Sequence, residues 1–273
     1  MIYKGRNMQD LSVTLIQTNL FWEDSQKNLI HFDHLLNQVS ESTDLILLPE
    51  MFNTGFSINP SKCAEAMDGP SMQFLRLKAM EKNAVIMATL LIREGDRCYN
   101  RLVCMHPDGN FQTYDKRHLF RLSEEQKVFT GGHQKLIMEV NGWKISPIIC
   151  YDLRFPVWSK NTWSEGTYEY DLMVCLANWP AIREYAWKML LIARAIENQA
   201  YVAGVNRVGD DGHGIWHSGD SVAIDSKGKV IWAAEAGKES VETVTFSAGE
   251  LQLFRDSFTM GMDWDHFSIK MKK

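Results

Sequence analysis

Three residues whose side chains could carry out acyl transfer stand at the ends of strand-like segments: Glu50, Lys116 and Cys150. A cysteine attacks as its thiolate, so a nearby carboxylate could take the thiol proton while a lysine cation stabilises both the thiolate and an oxyanion. Taken singly, each is more often an ordinary buried cysteine or a solvated charge. Their presence together is what indicates chemistry.

The segment around Cys150 is an apolar run that ends at the cysteine and continues into a turn, Ser146-Pro-Ile-Ile-Cys-Tyr-Asp-Leu-Arg-Phe-Pro156. The pattern predicts the end of a buried strand and, from Phe155, the first turn of a helix, where proline is tolerated. Backbone N–H groups that follow a nucleophile at such a corner can face a developing oxyanion, and Tyr151 supplies the first of them.

Histidine is the usual base for a catalytic cysteine, so His118, His213 and His217 are alternatives to the carboxylate. Their spacing prescribes no pair with Cys150, although His118 lies closest in sequence to Lys116. The histidines also lack metal-ligand spacing, and the glycines form no phosphate loop. We therefore expect no metal and no cofactor.

The composition of the 273-residue chain is that of a compact globular protein, with 45% apolar and 23% charged residues. The net charge of -5 comes from interspersed acids and bases without a basic stripe, which argues against nucleic acid as a partner. No apolar run approaches the roughly 20 residues of a membrane span, and Met1 to Asp10 has no signal-peptide centre. Met8 is an alternative start of translation.

The five cysteines are odd in number, scattered along the chain and without zinc or redox spacing. This usage is typical of a reducing compartment, because disulfide frameworks need paired cysteines in an oxidising one. We therefore predict a cytoplasmic protein that does not associate with membranes.

Strand-like and helix-like segments alternate along the chain. Apolar runs predict strands at 11–17, 44–49, 84–92, 172–177 and 201–205, and helical spacing predicts helices at 25–39, 71–82 and 181–198. Turn residues predict hairpins at 98–114 and 136–149. Segments 123–132 and 209–219 predict loops, and 221–224, 230–233 and 241–246 predict antiparallel strands joined by polar turns.

This order of elements predicts an α+β fold, because two βαβ-like halves with hairpins between them can pack as two covered sheets. We expect a single-domain four-layer αββα sandwich of two mixed sheets, with helices on the outer faces. No linker or short repeat divides the chain, so one domain should span residues 1–273. The tail from 260 to 273 carries Trp264, Phe267 and Ile269, and exposed aromatic residues there indicate a partner subunit.

The ordered segments resemble the carbon-nitrogen hydrolase (nitrilase) superfamily over nearly the whole chain. The segments similar to its glutamate, lysine and nucleophile motifs are Leu47-Leu-Pro-Glu50 with Met51-Phe-Asn-Thr-Gly55, Tyr114-Asp-Lys116 with His118-Leu-Phe120, and Cys150-Tyr-Asp-Leu-Arg-Phe155. The resemblance implies an αββα sandwich in which Glu50 is the general base, Lys116 stabilises the tetrahedral intermediate and Cys150 forms a thioester.

The resemblance also implies a second glutamate in the loop after the lysine. Glu124 and Glu125 are both available, and the spacing to Thr130-Gly-Gly132 favours Glu125. Members of the superfamily usually assemble through their helical faces and need only water for the reaction, which implies a homodimer without a cofactor.

Within the superfamily, three further segments resemble the omega-amidases: Arg154-Phe-Pro156, Ala177-Asn-Trp-Pro180 and Arg194-Ala-Ile-Glu-Asn-Gln199. Those enzymes hydrolyse the terminal amide of 2-oxoglutaramate or 2-oxosuccinamate to ammonia and the dicarboxylate. The free carboxylate of such a substrate needs a cation that recognises planar anions, and Arg154 lies about one helical turn beyond the nucleophile.

The environment of Arg154 has a second interpretation, a structural salt bridge with Asp152 or Glu197. Trp179, Phe120 and Tyr151 are the other expected substrate-binding residues, with Trp179 and Phe120 as walls of the pocket. Aromatic side chains in such positions are nevertheless more often part of a core.

Two other classes of function remain open. One is hydrolysis of N-carbamoyl amines or nitriles, because the triad is shared across the superfamily and only the pocket differs. The other is a non-catalytic binding or scaffold protein on the same fold. The complete set of Glu50, Lys116, Glu125 and Cys150 argues against a scaffold, since binding alone gives no reason to keep all four.

Overall fold

The computed structural model describes residues 8–39 and 42–270; the tail prediction for 271–273 and the seven residues before Met8 lie outside them. In chain order the strands are β1 (Leu11–Gln17), β2 (Leu45–Leu47), β3 (Val85–Glu94), β4 (Arg97–Met105), β5 (Phe111–Asp115), β6 (Met138–Val140), β7 (Trp143–Ile149), β8 (Trp163–Ser164), β9 (Thr167–Tyr168), β10 (Leu172–Ala177), β11 (Tyr201–Asn206), β12 (Val208–Asp210), β13 (Trp216–Ser218), β14 (Val222–Ile224), β15 (Val230–Ala233) and β16 (Ser240–Phe246).

The α-helices are α1 (Ser25–Leu36), α2 (Pro60–Cys63), α3 (Pro70–Lys82), α4 (Glu125–Val128), α5 (Pro156–Ser159), α6 (Glu184–Asn198) and α7 (Ala248–Ser257). Short 3-10 turns cover Arg121–Ser123, Cys150–Arg154, Ala181–Arg183 and Met260–Asp263. No helix among the described residues is both long and apolar enough to cross a membrane.

Two six-stranded sheets share one plan, a parallel centre flanked by antiparallel strands. The first has the order β16-β1-β2-β3-β4-β5 and the second β15-β14-β11-β10-β7-β6. Strands β1, β2 and β3 are parallel in the first sheet, as are β7, β10 and β11 in the second. Parallel neighbours need a crossover connection. In the first sheet, α1 lies in the connection from β1 to β2 and α3 in that from β2 to β3. In the second sheet, α5 lies between β7 and β10, and α6 between β10 and β11.

The sheets pack face to face because successive strand residues point to opposite sides. Val13 and Leu15 of β1 lie with Trp143 of the second sheet in a shared core. Ile16, on the other face of β1, packs with Phe32 of α1 in an outer core. Burying each such side chain stabilises the fold by about 1.5–3 kcal/mol. The result is the predicted αββα sandwich.

The hairpin that leads to Cys150 turns at Asn141 and Gly142, where the sequence predicts it. Asn141 and Gly142 both have positive φ, at 49° and 82°, as a two-residue turn with the twist of its strands requires. Val140 and Trp143 pair directly across this turn. The register of β7, and therefore the position of Cys150 at its end, follows from this turn.

Several predicted boundaries are wrong. The helix predicted over 25–39 ends at Leu36, and the helix predicted from 181 begins at Glu184 after one 3-10 turn. The loop predicted at 209–219 contains much of the β12–β13 hairpin, and that at 123–132 contains α4. The helix expected from Phe155 is only the four residues of α5. Helix α7 was not predicted.

The last strand corrects the predicted arrangement of the C-terminal part. Segments 221–224, 230–233 and 241–246 were expected to form one antiparallel series, but only β14 and β15 pair with each other. Strand β16 returns to the first sheet and pairs antiparallel with β1, from Leu11 opposite Phe246 to Gln17 opposite Ser240. Local patterns predict strands well but do not specify a distant partner, because pairing depends on which edge is free.

The tail after α7 lies partly against the body of the protein. The ring of Trp264 contacts Tyr168 at a centroid distance of 5.6 Å, and the Lys160 ammonium group lies 3.5 Å from the Trp264 ring. Phe267 and Ile269 are exposed. Only part of the aromatic tail is therefore available to a partner.

Candidate active site

Glu50, Lys116 and Cys150 meet because the strands that precede them end at the same side of the sandwich. Glu50 lies just after β2 in the first sheet, Lys116 directly follows β5, and Cys150 directly follows β7 in the second sheet. The N–H of Glu50 donates to the carbonyl of Ala177, the last residue of β10, at 3.3 Å. The site therefore lies where the carboxyl ends of the parallel strands of the two sheets meet.

Glu50 is fully buried, and both its carboxylate oxygens are hydrogen-bonded. Oε1 accepts from Lys116 Nζ at 2.9 Å and from Asn100 Nδ2 at 2.8 Å. Oε2 accepts from the N–H of Asn178 at 2.8 Å, and the Asn178 side-chain amide donates to the Glu50 carbonyl. These contacts hold the carboxylate in one orientation, as a general base requires.

Lys116 lies between two carboxylates. Its Nζ also hydrogen-bonds to Glu125 Oε1 at 3.1 Å, and only 1% of the residue is exposed. Burial alone would lower the pKa of Lys116, but the charges of Glu125 and Glu50 outweigh it and raise this pKa. Lys116 is therefore a fixed cation.

The second glutamate that contacts Lys116 is Glu125 and not Glu124. Glu125 is fully buried at the start of α4, whereas the Glu124 side chain is exposed and binds Lys127. Burial raises the pKa of Glu125, and the neighbouring Glu50 charge raises it further against the opposing effect of Lys116. Two buried carboxylates thus share one ammonium group.

Cys150 sits at the corner between β7 and the turn Cys150–Arg154, with φ of 44°. Positive φ is uncommon for a residue with a side chain and is often found where a functional group is held in place. Burial raises the pKa of the Cys150 thiol well above its ordinary value, and the Glu50 charge adds to the effect. The protonated form of the thiol is therefore favoured, and a carboxylate lies beside it.

The groups available to an oxyanion are Lys116 and the start of the turn after the nucleophile. Tyr151 is the second residue of the 3-10 turn, where N–H groups have no acceptor within the turn. Its ring packs edge to face against Phe120 and Phe155, at centroid distances of 5.0 and 5.1 Å.

The histidines do not take the role of the base at this nucleophile. His118 donates its N–H to Asp152 Oδ1 at 2.8 Å, its Nδ1 lies 2.8 Å from the same oxygen, and its ring stacks on Phe155 at 3.7 Å. His213 and His217 line the cavity, but within 8–39 and 42–270 no histidine hydrogen-bonds to Cys150. Burial and the nearby Arg207 lower the pKa of His217 to about 4.

Glu50, Lys116 and Cys150 open on a cavity of about 690 Å³, a size typical of small-molecule sites. All of the expected substrate-binding residues line it: Phe120, Tyr151, Arg154 and Trp179. The sequence analysis missed further lining residues, among them Arg183, Asp211 and Trp216. Their segments carry no pattern linking them to Cys150, because they approach it only through the fold.

Arg154 does not form the salt bridge that was its alternative interpretation. Asp152 instead accepts from Tyr114 and His118, and Glu197 pairs with Arg194. The Arg154 guanidinium lies 4.6 Å from the ring of Trp179, and no acid pairs with it anywhere in the described chain. It is a half-buried cation that faces the cavity.

Asn100 is a further residue that the sequence analysis missed. It lies in the middle of β4 and donates to both Glu50 and Glu125, at 2.8 and 3.3 Å. The sequence does not single it out, because β4 also contains Arg97 and Arg101, so one more polar residue in this strand gives no sign of a buried partner. No three His, Cys, Asp or Glu side chains among the residues described here gather as a metal site would require.

Comparisons with known proteins identify the family of the chain. A family model described as "Carbon-nitrogen hydrolase" matches residues 12–256. Omega-amidase YafV of Yersinia enterocolitica is 43% identical over 96% of this chain and 100% of its own length. The 2-oxoglutaramate amidase of Bacillus subtilis is 32% identical over 84% of this chain and 87% of its own.

Among solved structures, the chain is similar to XC1258 from Xanthomonas campestris, described as a CN-hydrolase superfamily protein with an arsenic adduct in the active site. The TM-score is 0.94 at 41% identity, covering 96% of this chain and 100% of that one. The similarity therefore extends to the whole arrangement of the sandwich.

Proposed function

The chain belongs to the carbon-nitrogen hydrolase family, and on that premise we propose that it is an omega-amidase, cleaving the terminal amide of omega-amide dicarboxylates through a cysteine thioester. One observation carries the proposal. A buried Glu50–Lys116–Cys150 group opens on a cavity that also presents Arg154, a guanidinium without an acidic partner. The cavity thus joins an acyl-transfer centre to a cation for a carboxylate.

In the first half of the reaction the Cys150 thiol loses its proton to Glu50, and the thiolate adds to the amide carbonyl. Lys116 and the Tyr151 N–H stabilise the oxygen that becomes negative. Glu50 then delivers the proton to the leaving nitrogen, the carbon–nitrogen bond breaks and ammonia departs. The acyl group remains on Cys150 as a thioester.

In the second half a water molecule gives a proton to Glu50 and adds to the thioester carbonyl. The carbon–sulfur bond breaks, the sulfur recovers a proton and the dicarboxylate leaves. Glu125 contributes by holding Lys116, because its carboxylate shares the ammonium group with Glu50. The sequence of steps needs only water as a co-substrate.

Arg154 supplies recognition of the free carboxylate at the far end of the substrate. A guanidinium can donate two parallel hydrogen bonds to a carboxylate, which fixes the substrate as well as attracting it. Phe120, Tyr151 and Trp179 form apolar walls around the carbon chain between the two ends. We expect Arg154→Ala to raise KM for carboxylate-bearing amides by roughly 10-fold to 100-fold.

The decisive experiment measures ammonia release from 2-oxoglutaramate and succinamate, with an N-carbamoyl amine and an aliphatic nitrile as comparison substrates. Intact mass spectrometry during turnover should show the acyl adduct on wild type and none on Cys150→Ala. Turnover of the carbamoyl amine or nitrile in preference to both omega-amides would overturn the assignment of substrate while keeping the nucleophile.

We further propose that the protein is a homodimer assembled through α6. Ile182, Tyr185, Met189 and Ile196 share one side of this helix and of the turn before it, and 85% and 76% of the first two are exposed. Exposed apolar residues at helical spacing support a protein interface. The partly exposed tail at 260–270 would lie at its margin, and we propose that one domain spans 1–273.

Light scattering coupled to size-exclusion chromatography tests this assembly. Tyr185→Glu with Met189→Glu should convert a dimer into a monomer, whereas Leu77→Glu on the exposed side of α3 should leave the mass unchanged. A wild-type monomer would contradict the proposal.

All five cysteines are free thiols, which supports the predicted cytoplasmic location.

A further inference from the structure

The cavity contains a second guanidinium, that of Arg183, which none of the steps above uses. Arg183 ends the 3-10 turn before α6 and lines the cavity together with Arg154 and Cys150. Its guanidinium lies 5.4 Å from the ring of Phe120, and its carbonyl accepts a hydrogen bond from Trp179 Nε1 at 2.8 Å. The two arginines therefore each rest on an aromatic wall of the same cavity.

Neither arginine is neutralised by an acid of the cavity. The lining acids are Glu50 and Asp211. Glu50 already accepts hydrogen bonds from Lys116 and from amide groups. Asp211 Oδ1 accepts hydrogen bonds from the backbone N–H groups of His213 and Ile215 at 2.8 and 3.0 Å. Across residues 8–39 and 42–270, no acid forms an ion pair with Arg183.

A single carboxylate of an omega-amide needs only one guanidinium, because one planar fork already matches its two oxygens. The second guanidinium implies a second feature of the substrate. A guanidinium has donors but no acceptor, so it can bind a carbonyl oxygen and can only repel an ammonium group. Next to the carboxylate, these are the substituents that distinguish a 2-oxo acid from a 2-amino acid.

We propose that Arg183 is the specificity residue that reads the 2-position of the substrate, accepting 2-oxo acid amides and rejecting 2-amino acid amides such as L-glutamine. The inference rests on the proposed function, in which Arg154 holds the neighbouring carboxylate. The oxo oxygen accepts a charge-assisted hydrogen bond from Arg183, whereas the ammonium group of an amino acid meets a like charge in a partly desolvated cavity.

Asp211 is the lining group that could favour the opposite preference, because its carboxylate would attract an ammonium group. Its Oδ1 is committed to two backbone N–H groups of the β12–β13 hairpin, so its first role is to shape that turn. If Asp211 rather than Arg183 set the preference, Asp211→Asn would change the ratio between oxo and amino substrates, and Arg183→Ala would not.

The test compares kcat/KM for 2-oxoglutaramate, glutaric acid monoamide and L-glutamine, which differ only at the 2-position. Arg183→Ala should lose about 10-fold or more on 2-oxoglutaramate, change little on the monoamide and gain on L-glutamine. Arg183→Lys should keep the rejection of L-glutamine, because the charge remains. Arg154→Ala should weaken all three.

Arg121→Ala is the matched control, because Arg121 is exposed, adjoins Phe120 and does not line the cavity. It removes the same charge and should leave the three values within about 2-fold of wild type. Equal losses on 2-oxoglutaramate and on the monoamide in Arg183→Ala would overturn the inference, since they would indicate general carboxylate binding.

A binding measurement separates this inference from the proposed function. Calorimetry on Cys150→Ala should show that 2-oxoglutarate binds more tightly than glutarate, and that the difference disappears in Cys150→Ala with Arg183→Ala. If wild type hydrolysed none of the amides but binding still depended on Arg183, recognition of the 2-oxo group by Arg183 would be supported and the proposed amidase activity would be refuted. Equal binding with and without Arg183 would overturn the inference whatever the activity.

Discussion

Two clusters of fully buried charge among the described residues differ in the balance of their charges and in their access to the cavity. In the first, Lys116 lies between Glu50 and Glu125, so two carboxylates share one ammonium group beside Cys150. In the second, Arg255 of α7 pairs with Asp171 at 2.6 Å. The first lines a cavity through Glu50 and Lys116, whereas neither member of the second does.

The guanidinium of Arg255 is satisfied on every side. Nε donates to the carbonyl of Gln199 and Nη2 to that of Tyr170, both at 2.9 Å, and the group lies 3.8 Å from the ring of Tyr168. This cluster fastens α7 to the second sheet. Burial and hydrogen bonding are common to both clusters, so neither property identifies chemistry.

What distinguishes the first cluster is its uncompensated charge. Burial raises the pKa of Glu125 and that of the Cys150 thiol, and the charge of Glu50 raises both further because Lys116 is shared between two carboxylates. Groups held away from their ordinary pKa are able to exchange protons during a reaction. The contrast predicts that changes in the first cluster affect turnover and changes in the second affect stability.

The largest effect is expected for Cys150→Ala, which should lower kcat by roughly 10⁴-fold or more because no other group can form the thioester. Its unfolding free energy should stay within about 1 kcal/mol of wild type. Ammonia release and urea denaturation measure the two quantities. Cys104→Ala, in the core between the sheets, should show the reverse pattern, and residual turnover above that level in Cys150→Ala would contradict the assignment.

Arg255→Ala should lower the unfolding free energy by about 3–5 kcal/mol, because it leaves the Asp171 carboxylate buried without its guanidinium. The kcat of the folded enzyme should remain near that of wild type. Replacing the pair together, Arg255→Met with Asp171→Leu, should recover part of the loss. A strong fall in kcat at full folding would mean that this cluster is coupled to the reaction.

Asn100→Ala should lower kcat by roughly 10-fold with little change in KM, because the lost amide donates to both carboxylates and Asn100 itself does not line the cavity. Steady-state kinetics on 2-oxoglutaramate measures this. Asn110→Ala in the exposed turn between β4 and β5 is the control and should behave as wild type. An effect on KM alone would place Asn100 in recognition instead.

Glu125→Gln should change the pH dependence of stability. The pKa of Glu125 is raised from its ordinary value of 4.5, so its contribution is fully present below 4.5 and is lost as the pH rises through the folded pKa. The stability of the variant relative to wild type should therefore increase with pH above 4.5, by about 1.4 kcal/mol per unit of pKa shift. Denaturation at several pH values measures it, and parallel curves would contradict it.

The sequence predicted the strands that carry Glu50, Lys116 and Cys150, because apolar runs ending at polar residues are local patterns. It did not predict that Asn100 joins the two glutamates, or that Arg183 enters the cavity, because both depend on which elements pack together. Pairing of β16 with β1 is equally non-local. The fold class and the grouping of Glu50, Lys116 and Cys150 were accessible, but the partners of most polar residues were not.

Helix α7 differs from these, because the sequence does contain a local signal for its start. Ser247 accepts a hydrogen bond from the N–H of Glu250, the start of a Ser-x-x-Glu capping pattern. Gly249 lies within the first turn and the helix has few apolar positions, so its sequence shows no clear helical periodicity. Capping residues would have predicted it and, with it, a position for Arg255.

The return of β16 to the first sheet has a consequence for how the protein is made. Strand β1 leaves the ribosome well before one of its two neighbours, Ser240–Phe246, because β16 lies far downstream in the chain. A nascent chain therefore holds an unpaired strand edge until β16 has been made, and such edges invite pairing with other chains. Slow translation or truncation before Phe246 should make this protein dependent on chaperones.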